Sequence, residues 1–122
     1  MRPIIFFCLF LAACAPARGG LAAAAPDIPA ERVKLIVDAI YRIEGGAKAR
    51  KPFGILSVPC DGYHDCRRVA ENTVRNNYRR WLATEGRRRG DFLEFLAARY
   101  CPRSADPIGH RNWIKNIQSI VK

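Results

Sequence analysis

An apolar stripe that ends on a carboxylate constrains this chain more than any other feature of its sequence. The stripe recurs at helical spacing within residues 30–44 and consists of Val33, Ile36, Val37 and Ile40. One further turn places Glu44 on the same face, directly before Gly45-Gly46, a pair that commonly ends a helix. The pattern therefore predicts an amphipathic helix whose buried face closes on an acidic side chain.

Glu44 is predicted to point along the buried face at the carbonyl end of its own helix. Desolvation disfavours the ionised form of a carboxyl group, and the partial negative charge at a helix C-terminus repels a carboxylate. A proton held near neutral pH is what a general acid needs, so Glu44 is a candidate catalytic residue. The alternative is an exposed glutamate paired with a nearby base, Lys48 or Arg50.

The N-terminal segment is typical of an export signal. Arg2 is followed by an apolar run over residues 4–13, which is too short to span a bilayer as a helix. Leu11-Ala12-Ala13-Cys14 resembles the bacterial lipoprotein signal, in which the cysteine is lipidated and becomes the mature N-terminus. Simple secretion with cleavage after Ala15-Pro16-Ala17 is the alternative. The lipoprotein signal predicts a periplasmic protein anchored in the outer membrane through Cys14.

The rest of the chain divides into a tether and one small domain. Residues 1–14 form the signal, residues 15–29 are an Ala/Gly/Pro-rich tether, and residues 30–122 form the domain. A domain of this size is only marginally stable without covalent staples. It is expected to be monomeric.

The fold class predicted for the domain is mainly α. After the first helix, residues 46–64 are rich in Gly and Pro and predict a loop with a short strand or hairpin. Further helices are predicted over residues 65–83, from the capping residue Asp91 to Tyr100, and over residues 111–121.

Three cysteines of the domain, Cys60, Cys66 and Cys101, allow one disulfide and one leftover thiol. A Cys60–Cys66 bridge closes a short loop, whereas a Cys66–Cys101 bridge constrains more of the unfolded chain and is the pairing we favour. No metal site is expected, because His64 and His110 complete no recognisable zinc-ligand spacing. No cofactor is expected either.

The formal charge of +10 is concentrated between Arg67 and Arg89. In a cytoplasmic protein this would suggest nucleic acid, but the export signal shifts the expected partner to an anionic envelope polymer or lipid head groups. Residues 87–89 are equally consistent with a solvated turn. Asn77 falls on the apolar side of the second helix, where it is either satisfied within the core or faces a substrate.

Two segments together resemble the lysozyme-like superfamily, in particular lytic transglycosylases and goose-type lysozymes. They are Ile43-Glu44-Gly45-Gly46 and Phe53-Gly54-Ile55. The resemblance implies that Glu44 is the catalytic acid and that Gly54 and Ile55 line the cleft. It further implies substrate-binding positions at Ser57, Tyr100 and Asn112, to which we add Asn77.

The chain departs from that pattern at two places. Leu56-Ser57 stands where transglycosylases usually carry a glutamine, and Arg99-Tyr100-Cys101-Pro102 stands near the place of a Tyr-Asn-Ala-Gly segment. The implied function is cleavage of peptidoglycan glycan strands. Hydrolysis needs a second carboxylate, for which Asp61 and Asp65 are candidates, whereas the transglycosylase route uses the acetamido group and 6-hydroxyl of the substrate.

Two other functions fit the sequence. One is an inactive lysozyme-like envelope protein that binds glycan or a protein partner. The other is a basic protein that binds nucleic acid or anionic lipid through the segment from Arg67 to Arg89. Because of the export signal, nucleic acid is the less expected of these two partners.

Overall fold

The structure, a computed structural model, describes residues 27–54, 58–84 and 90–121. These residues are mainly helical, as predicted. The elements are α1 (Ala30–Ile43), a 3-10 helix (Gly46–Lys48), α2 (Gly62–Ala83), α3 (Phe92–Tyr100) and α4 (Pro107–Val121). None of the four described α-helices combines the length and apolar character needed to cross a bilayer.

α1 is the central element of the hydrophobic core. Its predicted stripe is buried, and Ile36, Val37 and Ile40 have no exposed surface. α1 packs against α2 and α4, and α3 packs against the same two helices. Burial of an aliphatic side chain contributes roughly 1.5–3 kcal/mol, so this stripe accounts for much of what holds α1 in the fold.

Polar contacts between the helices show that α1 runs antiparallel to both α2 and α4. Near the end of α1, Asp38 binds Arg67 of α2 at 2.7 Å, whereas Asp27, before α1, binds Arg75 further along α2 at 3.1 Å. Arg32, in the first turn of α1, donates to the carbonyl of Val121 at the end of α4 (3.2 Å). One end of the bundle therefore combines the end of α1 with the beginnings of α2 and α4.

α2 and α4 each begin about one turn earlier than predicted. α4 begins at Pro107, and the Asp106 carboxylate accepts a hydrogen bond from the Gly109 N–H at 2.8 Å. Proline at the first helical position after a capping aspartate is a regular start signal. α3 agrees with the prediction, since the Asp91 side chain accepts from the N–H of Leu93.

The segment between α1 and α2 is a 3-10 helix followed by turns, with no strand among its described residues. Gly45 has a left-handed φ of 100°, which stops α1 and redirects the chain. Residues 55–57, the centre of the predicted strand, lie outside the described residues.

The disulfide pairs Cys60 with Cys66, not Cys66 with Cys101 as we expected. Because α2 begins at Gly62, Cys66 lies in its first turns and Cys60 in the segment that enters it, with their Cα atoms 5.0 Å apart. Cys101 follows α3, where its sulfur lies against Gly109 of α4, and it is a free thiol. The prediction rested on the larger stabilisation expected from closing a long loop, but the start of α2 brings Cys60 and Cys66 close together and they pair instead.

Removing this disulfide should test the pairing. The double variant Cys60→Ser/Cys66→Ser should lower the free energy of unfolding by about 2 kcal/mol, because the short closed loop restricts the unfolded chain. Urea unfolding of the oxidised proteins measures the loss. Cys101→Ser is the matched control and should retain the disulfide. A loss in the control as large as that in the double variant would contradict the pairing, because Cys101→Ser would then also have broken the disulfide.

Candidate active site

Glu44 lies at the junction of α1 with the loop that follows it. Its backbone N–H still donates to the carbonyl of Ile40 at 2.9 Å, so the residue continues the helical register before Gly45 turns the chain. The side chain is half-buried. The carboxyl group therefore stays on the buried side of α1 but retains access to solvent.

Trp113 of α4 is the hydrogen-bond donor to this carboxylate. Its indole Nε1–H donates to Oε1 of Glu44 at 3.2 Å, and the indole is 5% exposed. The ring stacks on Tyr100 of α3, with centroids 5.2 Å apart and an interplanar angle of 11°. The first, third and fourth helices thus meet around Glu44.

Gly54 covers the carboxyl from the loop. Its φ is +68°, and a Cβ atom added there would lie 2.6 Å from Cδ and 2.8 Å from Oε2 of Glu44. No residue with a side chain fits without displacing one of the two. Phe53, which is 2% exposed and packs against Tyr41, anchors the loop in the core. Gly54, one of the positions named from the resemblance, therefore contacts Glu44.

Tyr100 and Cys101 surround the same carboxylate with groups that stay protonated. The Tyr100 hydroxyl is buried and has no hydrogen-bond partner among the described residues. Burial, together with the Glu44 carboxylate, raises the pKa of Tyr100 well above its usual value. Burial and the carboxylates of Asp106 and Glu44 also raise the pKa of the Cys101 thiol. A thiol is a poor nucleophile, so Glu44 is the candidate for acid–base chemistry among these three groups.

His110 fixes the segment that carries these two residues. Its Nδ1–H donates to the carbonyl of Cys101 at 2.7 Å, which ties the exit of α3 to α4. This hydrogen bond assigns the proton of the neutral ring to Nδ1. His110 therefore supports the position of Tyr100 beside Trp113.

Asn77 lies far from Glu44. Its side-chain amide donates to the carbonyl of Thr73 at 2.8 Å within α2, and the residue is 8% exposed. The neighbouring Arg75 binds Asp27 before α1, so Asn77 lies at the opposite end of the bundle, about 20 Å from Glu44 along α1. Asn77 is hydrogen-bonded within the core, which is the first of the two alternatives that its position in the sequence left open.

The other predicted positions have different outcomes. Asn112 is exposed on α4, and the adjacent residue Trp113 takes the position beside Glu44. Successive helical residues point about 100° apart, so only one of this pair can face the site. Ile55 and Ser57 lie outside the described residues, as does the predicted lipidation site Cys14.

Sequence reasoning missed Trp113 as a partner of Glu44. The apolar stripe of α4 places Trp113 in the core, and a buried indole N–H usually finds an acceptor. A search for that acceptor among the polar residues predicted to be buried would have selected Glu44. The sequence therefore contains a signal for the contact between Trp113 and Glu44.

A cavity of about 600 Å³ lies at the other end of the bundle beside Trp81 and Phe92. Two of the polar side chains that line it have partners within the protein. The Trp81 indole N–H donates to the carbonyl of Gly90 at 3.4 Å, and the Asp91 carboxylate accepts from Leu93 and Gln118. Glu44, with Tyr100 unpartnered beside it, is the stronger candidate for chemistry.

Within residues 27–54, 58–84 and 90–121, no group of three or more His, Cys, Asp or Glu side chains is arranged to hold a metal ion. No protein-family model matches the chain, and comparisons with curated proteins and with solved structures find no significant match. The function is therefore argued from the geometry around Glu44.

The contact between Gly54 and Glu44 can be tested with a matched pair of glycines. Gly54 and Gly62 both have a positive φ, of 68° and 73°, but nothing lies within 4 Å of a Cβ atom added at Gly62. Gly62→Ala should cost about 1–2 kcal/mol of unfolding free energy from backbone strain alone. Gly54→Ala should cost a further 1–3 kcal/mol, roughly, because the methyl group overlaps the carboxyl.

Urea unfolding of the two alanine variants measures this difference. Equal losses would show that Gly54 does not confine the Glu44 side chain. A lower loss for Gly54→Ala than for Gly62→Ala would contradict the contact altogether.

Proposed function

We propose that this protein is an exported, lysozyme-like enzyme that cleaves the glycan strands of peptidoglycan, with Glu44 as general acid and then general base. The observation that carries the proposal is the half-buried Glu44 carboxyl, held by the Trp113 indole N–H and covered by the backbone of Gly54. The lipoprotein-type sequence around Cys14 would place the domain where peptidoglycan lies.

The reaction requires a proton donor at the bridging oxygen, because an unprotonated sugar oxygen is a poor leaving group. Tyr100 and Cys101 do not fit this role, because their raised pKa values keep both protons in place near neutral pH. Glu44 is the carboxyl group that contacts both Trp113 and Gly54, and a carboxyl group can both donate and accept a proton. This arrangement supports Glu44 as the acid.

A transglycosylase route fits the surroundings of Glu44 better than a route with two carboxylates. The Asp65 carboxylate accepts from the Asp61 N–H and from Arg68, and these contacts lower the pKa of Asp65. No contact among the described residues links Asp61 or Asp65 to Glu44. In the one-carboxylate route, Glu44 protonates the bridging oxygen and the acetamido group of the substrate assists departure.

The second half of that route returns the proton. The 6-hydroxyl of the same sugar attacks its own C1, and the Glu44 carboxylate accepts the hydroxyl proton. The product is an anhydro-sugar end, and Glu44 is again protonated. No water is consumed, so no second residue is needed to activate one.

The basic residues of α2 give less support to binding of an anionic polymer. Arg67 binds Asp38 and Glu71, and Arg68 binds Asp65. Arg75 and Arg79 both bind Asp27, at 3.1 and 3.7 Å. These guanidinium groups are engaged with the protein's own carboxylates, which reduces the charge that they offer to phosphate. Residues 85–89 lie outside the described residues.

The proposal is tested by incubating the full-length chain with purified cell-wall sacculi and analysing the soluble fragments by mass spectrometry. Glu44→Gln should reduce fragment release by at least about 100-fold, because the amide cannot supply a proton. Glu31→Gln, an exposed position in the first turn of the same helix, is the matched control and should retain the wild-type rate.

The fragments also identify the reaction. Anhydro ends support the one-carboxylate route, and reducing ends would indicate hydrolysis instead. Retention of fragment release in Glu44→Gln would overturn the assignment of Glu44. Glycan binding without cleavage by the wild type would favour a non-enzymatic envelope protein.

A further inference from the structure

The two oxygens of Glu44 have different surroundings. Oε1 accepts the hydrogen bond from the Trp113 indole at 3.2 Å. Oε2 lies beside the α-carbon of Gly54, where even a methyl group would approach it to 2.8 Å. The carboxyl group is thus held at one oxygen by a fixed donor and approached at the other by bare backbone.

The donor is fixed more firmly than a surface side chain would be. Trp113 is 5% exposed, and its ring stacks on Tyr100 with an interplanar angle of 11°. Tyr100 is in turn held by the exit of α3, which the His110–Cys101 hydrogen bond ties to α4. An indole nitrogen donates and never accepts, and a carbonyl oxygen is a better acceptor than the hydroxyl oxygen of a protonated carboxyl, so the hydrogen bond favours leaving Oε1 unprotonated.

We propose that Trp113 is a positioning residue that keeps Oε1 of Glu44 as an acceptor and thereby directs the exchangeable proton to Oε2. The inference rests on the proposed function for its catalytic meaning, although the hydrogen bond itself can be measured without any reaction.

The chemistry follows from proton balance. In the protonated acid, Oε1 is the carbonyl oxygen and still accepts from Trp113, while Oε2 carries the hydrogen. Transfer of that proton to a glycosidic oxygen leaves a carboxylate whose hydrogen bond to the indole strengthens. The same Oε2 then accepts the proton of the attacking hydroxyl, so Trp113 remains the donor throughout.

Other titratable groups near Glu44 do not replace this role. Tyr100 and Cys101 face the carboxyl from α3 and its exit, and both keep their protons near neutral pH. Asp106 acts on Cys101, and His110 of α4 donates from Nδ1 to the Cys101 carbonyl. The charged residues nearest along the chain are Arg42 and Lys48, both exposed.

The test follows the indole N–H signals of the ¹⁵N-labelled full-length chain between about pH 3 and about pH 8, the range in which a carboxyl titrates. The Trp113 signal should shift through one transition in the wild type and stay constant in Glu44→Gln. Trp81 is an internal control, because its acceptor is the carbonyl of Gly90, which does not titrate.

The low-pH limit distinguishes the two oxygens. A protonated Oε2 leaves a carbonyl at Oε1, as the glutamine amide does, so the wild-type signal should converge on that of Glu44→Gln. A Trp113 signal that does not change with pH, or that shifts by the same amount in Glu44→Gln, would overturn the proposal. So would a low-pH signal typical of an indole without an acceptor.

Activity gives a separate measurement. Trp113→Phe keeps an aromatic ring but removes the donor, and fragment release from sacculi should fall by about 10-fold to 100-fold. Its pH–rate profile should move to higher pH, because the carboxylate loses a stabilising donor. Trp81→Phe, the matched control, should leave the rate and the profile unchanged.

The two proposals fail in different ways. Sacculi left intact by the wild type would refute the enzymatic function, while the indole titration would still decide the hydrogen bond. Cleavage that depends on Glu44 but is unchanged in rate and pH profile in Trp113→Phe would refute the positioning role alone. The titration of the wild type also stands if Trp113→Phe does not fold.

Discussion

The hydrogen bond from Trp113 to Glu44 joins the last helix of the domain to the first, across 69 residues of sequence. It forms only if α1 and α4 run antiparallel and if the loop after α1 turns back far enough for Gly54 to cover the carboxyl. A half-buried carboxylate without such a donor would destabilise the fold, since desolvation of a charge is costly when no hydrogen bond compensates. The site and the helix packing are therefore one arrangement.

Local patterns predicted the parts of this arrangement that depend on neighbouring residues. The stripe of α1 predicted its buried face and the position of Glu44, and the Asp91 side chain caps α3 as expected. Both features are set by helical periodicity and by hydrogen bonds within one turn. Gly54 was predicted from a resemblance to a known family, and helical periodicity could not have predicted its close contact with Glu44.

Features that depend on residues far apart in the sequence could not be predicted from the sequence alone. The pairing of Cys66 is a local exception, because it required knowing that α2 begins at Gly62, which brings Cys60 within bonding distance. The sequence placed Asn77 correctly on a buried face. The end of the bundle at which Asn77 lies depends on the antiparallel packing of α1 and α2, which periodicity does not reveal. Trp113 and Asn112 are one residue apart, and only the rotation of α4 decides which of them faces Glu44.

The two ends of the bundle differ in how completely their polar side chains are paired through hydrogen bonds and ion pairs. This difference supports the proposal that function lies at the Glu44 end. At the start of α1, Asp27 binds two arginines, and the Asn77 amide has its partner. At the other end, the Tyr100 hydroxyl is buried without a described partner, and the backbone adopts left-handed conformations at several glycines. Glycine adopts these conformations without strain, whereas a buried polar group without a partner is rare and is commonly found at a functional site. Since Glu44 lies beside the Tyr100 hydroxyl, this end of the bundle is where we propose that the chemistry takes place.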